Sequence, residues 1–114
     1  MVGRDAGGQG DQRSDAELVD VCNRGGPDAY RAFEALYKRH KDYVVRVAMR
    51  TTGSPDLALD ALQDTFSYLL SRFPPPGEGL SLTARLTTYL YPIARNYAID
   101  HARRAGRLVD GARA

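Results

Sequence analysis

Three aspartates at four-residue intervals are the first residues whose spacing suggests a binding role. Asp56, Asp60 and Asp64 would share one face of a helix, because residues four apart lie one above another. Like charges at this spacing destabilise an isolated helix by about 0.2–0.5 kcal/mol per pair. Gln63 and Ser67 extend the polar face beside them. Two interpretations stay open, a solvated acidic surface and a docking face for a basic helix of a partner.

A second group of residues has the composition of a surface for single-stranded nucleic acid. It lies in "YLYPIARNYAIDHARRAGR", which begins at Tyr89. At helical spacing one stripe holds Arg85, Tyr89, Asn96 and Arg103, and it is flanked by Arg95, Arg104 and Arg107. An aromatic ring can stack on an unpaired base for about 1–3 kcal/mol while guanidinium groups hold phosphates. Composition alone slightly favours the plainer alternative, a ring at the core edge and arginines that complement the helix C-terminus.

Pro92 lies inside this predicted helix and complicates it. Its ring removes the backbone hydrogen bond to Thr88, which costs about 3 kcal/mol in a helix interior and far less in the first turn. The sequence therefore predicts either a kink at Pro92 or a helix that begins later than its flanking residues suggest.

Charge is distributed unevenly along the chain. The formal net charge is +2, but residues 54–81 carry −3 and residues 82–114 carry +4. This asymmetry indicates two surfaces with different partners, although solvated helix faces would also account for it.

The remaining reactive side chains do not form a catalytic or metal-binding pattern. Cys22 is the single cysteine, which excludes an internal disulfide and favours a reducing compartment. There is no phosphate-binding glycine loop. His40 falls on a predicted core stripe, and neither His40 nor His101 has an evident nucleophile or metal constellation. No apolar run reaches the roughly 18 residues of a membrane span, and the N-terminus lacks a secretory signal. We therefore expect a cytoplasmic protein with no bound metal or cofactor and no enzymatic activity.

Four helices must position these residues. A capping box from Ser14 to Glu17 begins a short first helix, which "RGGP" ends. The second helix should begin near Pro27 and end at Gly53. Its apolar stripe is predicted to contain Tyr30, Phe33, Tyr37, His40, Val44 and Val47.

The third and fourth helices carry the two candidate surfaces. Ser54 should cap the third helix, with Pro55 at its first position, and "PPPGEG" at residues 74–79 should end it. The fourth helix is predicted to run from a cap at Ser81 to about Arg104. Its core stripe is predicted to contain Leu86, Leu90, Ile93, Ala94 and Tyr97.

These elements predict an all-α fold, a compact bundle of three long helices and one short N-terminal helix. A chain of 114 residues can form one small domain. Residues 1–13 are rich in glycine and polar side chains, so we expect a disordered leader there. The helical domain is expected at residues 14–107, and residues 108–114 are expected to begin a linker.

Two motifs at this separation give a specific resemblance. "DAYRAFEALYKRHKDYVVRVAMRTTGSPDLALDALQDTF" and "YLYPIARNYAIDHARR" together resemble the second conserved region of bacterial extracytoplasmic-function (ECF) sigma factors, in the sigma-70 family. These proteins are promoter-specificity subunits of RNA polymerase. The first segment contains an Asp-x-x-Gln-Asp-x-Phe core-binding stretch. The second is similar to the family's melting helix, Trp-Leu-x-x-Ile-Ala-Arg-Asn-x-x-x-Asp-x-x-Arg-Arg. The resemblance covers about residues 14–107.

The resemblance implies a partner for each surface. This chain would dock on the clamp helices of the largest subunit of core RNA polymerase. The docking residues would be Asp60, Gln63, Asp64, Phe66 and Ser67. The chain would also contact the non-template strand of the promoter −10 element. These contacts would come from Arg85, Tyr89, Arg95, Asn96, Arg103, Arg104 and Arg107. The loop at residues 74–83 would join that second set.

The sequence departs from the family pattern in ways that keep a second function open. Tyr89 replaces the usual Trp, Leu59 occupies a position that is often acidic, and Pro92 and "PPPGEG" are unusual. The helix-turn-helix region that reads the upstream promoter element has no counterpart in these residues. The alternative is a helical interaction module, bound by an anti-sigma factor or self-associating, without DNA activity of its own.

Overall fold

The computed structural model describes residues 11–106, and α-helices make up all the regular secondary structure in that range. The helices are α1 (Asp15–Arg24), α2 (Pro27–Thr52), α3 (Pro55–Arg72) and α4 (Leu86–Arg104). The predicted all-α bundle, with three long helices and one short N-terminal helix, is confirmed. Most of the predicted leader, residue 107 and the predicted linker lie outside the described residues.

The start of α1 and the end of α2 are each set by interactions between neighbouring residues. Ser14 Oγ accepts a hydrogen bond from the Glu17 amide at 3.1 Å, and the Ser14 amide donates to Glu17 Oε1 at 2.8 Å. This is the predicted capping box. Gly53 ends α2 with φ of 63°, and its amide donates to the Met49 carbonyl. A left-handed residue at this position favours glycine.

Two residues, Gly53 and Ser54, separate α2 from α3. Ser54 Oγ accepts a hydrogen bond from the Leu57 amide at 3.3 Å and caps α3. The helix ends at Arg72, and the chain folds back over that end. The Gly77 amide donates to the Phe73 carbonyl at 3.0 Å, and the Gly79 amide donates to the Arg72 carbonyl at 2.8 Å. The prolines therefore end α3 as predicted.

The predicted start of the fourth helix at Ser81 is wrong, because α4 begins at Leu86 with Arg85 as its N-cap residue. The backbone amide and carbonyl of Leu80 are both hydrogen-bonded to the side chain of Asn23 in α1, and residues 81–85 then lead to α4 without helical structure. The late start places Pro92 seventh in α4, within the first two turns. The helix thus begins later than predicted, but Pro92 still lies beyond its first turn, where its ring removes the hydrogen bond to the Thr88 carbonyl.

Helix α2 lies at the centre and packs against the other three helices, while α3 also packs against α4. The residues with no exposed surface include Leu18, Leu36, Val44, Leu69 and Leu90. Four alanines, Ala48, Ala58, Ala61 and Ala98, form a second buried cluster where α2, α3 and α4 approach one another. Small side chains let three helix backbones come close, which fixes α4 against α3.

Three residues of the predicted α2 stripe are not fully buried, since Phe33 and Tyr37 are half-buried and Tyr30 is exposed. Tyr30 is 76% exposed, because the buried face of α2 runs instead through Ala32, Leu36, His40 and Val44. On α4 the centre of the stripe is taken by alanines, and Ile93 and Tyr97 are only half-buried. Among residues 11–106, no helix is both long enough and apolar enough to cross a membrane.

Candidate protein-docking and nucleic-acid surfaces

The outward face of α3 carries polar and apolar side chains side by side. Asp60, Gln63 and Ser67 are exposed and lie on one face, since they are three and four residues apart. Leu59 and Leu70 flank them and are 54% and 53% exposed. We call these five residues the α3 strip. An acidic strip with an apolar border can bind an amphipathic helix that has basic residues beside its apolar face.

Phe66, also predicted for the docking site, points into the core and is 4% exposed. Its ring meets Tyr37 edge-on at a centroid distance of 5.0 Å and Phe33 at 6.2 Å. Such edge-to-face pairs contribute about 0.5–1.5 kcal/mol beyond the area they bury. Phe66 therefore holds α3 against α2 and offers little ring surface to a partner.

A groove runs along the α3 strip between α2 and α3. Its lining includes Phe33 and Tyr37 from α2 and Leu59 and Leu70 from α3. The groove continues into a second, apolar hollow that shares Phe33, Tyr37 and Leu70 and is bordered by the exposed Tyr30. Sequence reasoning missed both Tyr30 and Leu70 as surface residues. The signal for Leu70 was present, because Leu59, Gln63 and Leu70 share one helical face.

Asp64 is not the unpaired carboxylate that its spacing suggested. Asp64 Oδ2 lies 2.6 Å from His101 Nε2, so α3 and α4 are joined by a side-chain hydrogen bond. The Asp64 side chain keeps 41% of its surface exposed, and that of His101 keeps 17%. Sequence reasoning had found no partner for His101. The pair lies where the α3 strip meets α4, so it connects the two candidate surfaces.

The outward side of α4 holds most of the predicted nucleic-acid residues. Arg85, Asn96 and Arg103 are exposed on one stripe, and Tyr89 on the same stripe is half-buried. Arg95 and Arg104 are exposed to either side of this stripe. Arg104 also donates a hydrogen bond to the carboxylate of Asp100, one turn earlier. Arg107 lies outside the described residues.

Tyr89 sits at the seam between α4 and the end of α3. Burial raises the pKa of the Tyr89 hydroxyl, the neighbouring Tyr68 raises it further, and Arg72 opposes both. The hydroxyl therefore stays protonated at neutral pH and can donate a hydrogen bond. Tyr68, which is 38% exposed, lines a hollow with Asn96 and Tyr97. Sequence reasoning missed Tyr68 because it belongs to α3 and reaches this surface only through packing.

The other reactive groups do not compete with these surfaces as functional sites. Burial raises the pKa of the Cys22 thiol to about 11, so the thiol stays protonated and unreactive at neutral pH. His40 is 8% exposed, as its predicted core position requires, and its Nε2 lies 2.9 Å from Asp15 Oδ2. In the stretch that the structure describes, no three potential ligands cluster around a metal position.

Comparison with known proteins gives matches to sigma factor sequences. Residues 36–108 match the family described as Sigma-70 region 2. The chain is 36% identical over 94 residues to the ECF RNA polymerase sigma factor SigM of Mycobacterium tuberculosis. That alignment covers 82% of this chain and 44% of the relative, so the chain spans less than half of the relative's length. No solved structure gives a significant match.

Proposed function

The chain belongs to the sigma-70 region 2 family, in its ECF branch, and we propose that it binds core RNA polymerase and recognises and melts the promoter −10 element. What carries the proposal is the placement of two chemically different surfaces on adjacent helices. The α3 strip is acidic and apolar, whereas the outward side of α4 combines arginines with a tyrosine and an asparagine. A protein that joins polymerase to an open DNA strand needs both kinds of surface.

For the polymerase, we propose that the α3 strip docks on the clamp helices of the largest subunit. Asp60 would meet basic side chains, and Leu59 and Leu70 would cover apolar side chains of the same coiled coil. Asp64 would take part from its position beside His101. Charge complementarity of this kind speeds association and excludes wrong partners more than it adds affinity.

For the promoter, we propose that Tyr89 stacks on an unpaired base of the non-template strand. Arg85, Arg95 and Arg103 would neutralise phosphates, and Asn96 would hydrogen-bond a base edge, as carboxamides do with adenine. Because every base has a π-face, stacking on Tyr89 would give affinity without selecting one base.

The free energies of base stacking and of DNA unstacking indicate which step the domain can perform alone. One stacked base contributes about 1–3 kcal/mol, and each DNA step that is unstacked costs about 1.4 kcal/mol on average. A single tyrosine therefore compensates for opening about one or two steps. We propose that the chain captures strand that is already unpaired, and that melting requires the phosphate and protein contacts of the complete polymerase.

Binding of fork-junction DNA to the reconstituted complex tests this function. Core RNA polymerase is assembled with the chain and titrated against labelled DNA whose −10 non-template strand is unpaired, and against the same sequence as a full duplex. We expect tighter binding to the fork, with a log–log salt slope of about −0.7 for each single-strand phosphate contacted. Equal binding to both DNAs, or a slope near zero, would contradict the proposal.

The exposed apolar groove favours a second candidate, a helical module bound by an anti-sigma factor or by another copy of the chain. Tyr30, Leu59 and Leu70 are the most exposed large hydrophobic residues in the described range, and all three border this groove. Under this candidate the chain binds a protein but shows no salt-dependent affinity for single-stranded DNA. In either case we propose that it acts in the cytoplasm, by binding and not by catalysis.

A further inference from the structure

A side chain of α1 holds the loop that leads into α4. Asn23 Nδ2 donates to the Leu80 carbonyl at 2.9 Å, and the Leu80 amide donates to Asn23 Oδ1 at 2.7 Å. The two residues are 57 positions apart in the sequence. A single carboxamide thus satisfies both backbone groups of one residue. We call this pair of hydrogen bonds the Asn23 clasp.

The clasp requires a carboxamide at position 23. Asparagine offers a donor and an acceptor side by side, whereas an ionised aspartate has acceptors only. Leu80 is also held from the inside, since its side chain is 7% exposed and belongs to the main core cluster. Its backbone and side chain are therefore fixed from opposite directions.

The glycines that precede Leu80 allow the loop to pack closely at this contact. Gly79 has φ of 109°, and a Cβ there would lie 3.1 Å from Asn23 Oδ1. The Gly79 amide donates to the Arg72 carbonyl, at the end of α3. A Cβ on Gly77 would lie 2.2 Å from the carbonyl carbon of Arg72. The loop is thus folded tightly against both α1 and the end of α3.

The clasped segment carries exposed polar groups and is linked to Tyr89 through Arg72. Glu78 and Ser81, on either side of the clasped segment, are exposed, as is Thr83. Arg72, whose carbonyl anchors Gly79, is also a neighbour of Tyr89. Carboxylate and hydroxyl groups can read base edges, whereas the stacking of Tyr89 cannot distinguish one base from another.

We propose that Asn23 is a positioning residue for base discrimination, although it contacts no DNA. It holds the loop at residues 78–83 at a fixed distance from Tyr89, so that the loop's polar groups meet the edge of the base that Tyr89 stacks. This inference rests on the proposed function. When the clasp is lost, phosphate contacts and stacking remain, but the loop can adopt several positions and accepts wrong bases.

The test uses the complex of this chain with core RNA polymerase and a panel of fork-junction DNAs. Each DNA changes one non-template base of the −10 element, and the ratio of affinities for the best and worst base is measured at each position. Asn23→Asp keeps the shape and the acceptor but places a carboxylate against the Leu80 carbonyl. Asn23→Ala removes both hydrogen bonds without adding charge. Gln12→Glu, which makes the same change from carboxamide to carboxylate at an exposed residue before α1, is the matched control.

We expect both Asn23 variants to lower the ratio at one position at least fivefold. Affinity for the worst base and for core polymerase should stay within twofold of wild type, and Gln12→Glu should behave as wild type. A merely structural role would lower all affinities together and leave the ratios unchanged. Amide hydrogen exchange gives an independent reading, because Leu80 should exchange slowly in the wild type and faster in Asn23→Ala.

Gly79→Ala disturbs the Asn23 clasp from the loop side. It therefore tests the proposal even if the Asn23 variants do not fold. Its methyl group crowds Asn23 Oδ1 and strains a backbone with positive φ, so the same position should lose discrimination. Wild-type ratios retained in all folded clasp variants would overturn the inference alone. A wild-type complex that binds no DNA, or binds without discrimination, would overturn the proposed function as well.

Discussion

The outward faces of α3 and α4 are neighbours on one bundle, but their functional side chains are held differently. On α3, short side chains such as Asp60 and Ser67 lie above a core that the edge-to-face contact of Phe66 fixes. On α4, most of the polar groups are arginines, and the ring of Tyr89 alone is partly embedded. Long side chains lose more conformational entropy when they are ordered. The α3 strip is therefore preformed, whereas the α4 surface gains order only when DNA binds.

The largest effect is expected from a substitution in the shared core, which should weaken both faces together. Leu90 is completely buried and lies on the core side of α4. Leu90→Ala should lower the free energy of unfolding by about 2–5 kcal/mol. Chemical denaturation gives this value, and affinities for polymerase and DNA should fall together. Loss of only one affinity at unchanged stability would show that Leu90 belongs to one surface and not to the shared core.

A smaller effect, on DNA binding, should distinguish the two faces. Tyr89→Ala should weaken binding of the complex to fork-junction DNA by about 1–3 kcal/mol, roughly 5- to 150-fold, and weaken duplex binding much less. Tyr91→Ala is the matched control, because Tyr91 is 44% exposed but lies on another side of the same helix. Equal losses for the two variants in a fluorescence titration would remove the specific role of Tyr89.

The smallest effect concerns the hydrogen bond that joins the faces. A double-mutant cycle of Asp64→Ala and His101→Ala, read by the free energy of unfolding, should give a coupling of about 1 kcal/mol. The pair is partly exposed, which keeps the value small. Additive single effects would mean that the 2.6 Å contact contributes nothing to the joining of α3 and α4.

Local sequence signals sufficed for most of the helix ends. Ser14, Ser54 and Gly53 act at their predicted positions because caps depend only on neighbouring residues. The outward direction of Asp60 and Gln63 likewise follows from helical spacing within α3. The resemblance to sigma region 2 also depended on motifs within single segments, and the family comparison bears it out.

Features that join distant segments could not be predicted in the same way. The two hydrogen bonds of Leu80 come from Asn23, 57 residues earlier, and no local pattern around Ser81 shows this. The Asp64–His101 contact depends on the register between α3 and α4, which the alanine cluster sets by close packing. Tyr68 reaches the α4 surface for the same reason.

The most direct test of the two-surface account is the affinity of core RNA polymerase for Asp60→Lys. Asp60 suits this test better than Asp64, whose substitution would also break the contact with His101. Asp42→Lys makes the same charge change at an exposed site on α2, where the Asp42 side chain is 79% exposed. Tyr89→Ala serves as the control from the other surface.

We predict that Asp60→Lys weakens polymerase binding at least tenfold, because two like charges would then face each other across the interface. Asp42→Lys and Tyr89→Ala should bind core polymerase within about twofold of wild type, since neither residue belongs to the α3 strip. Wild-type affinity of Asp60→Lys, or an equal loss in Tyr89→Ala, would contradict the assignment of polymerase to α3 and DNA to α4.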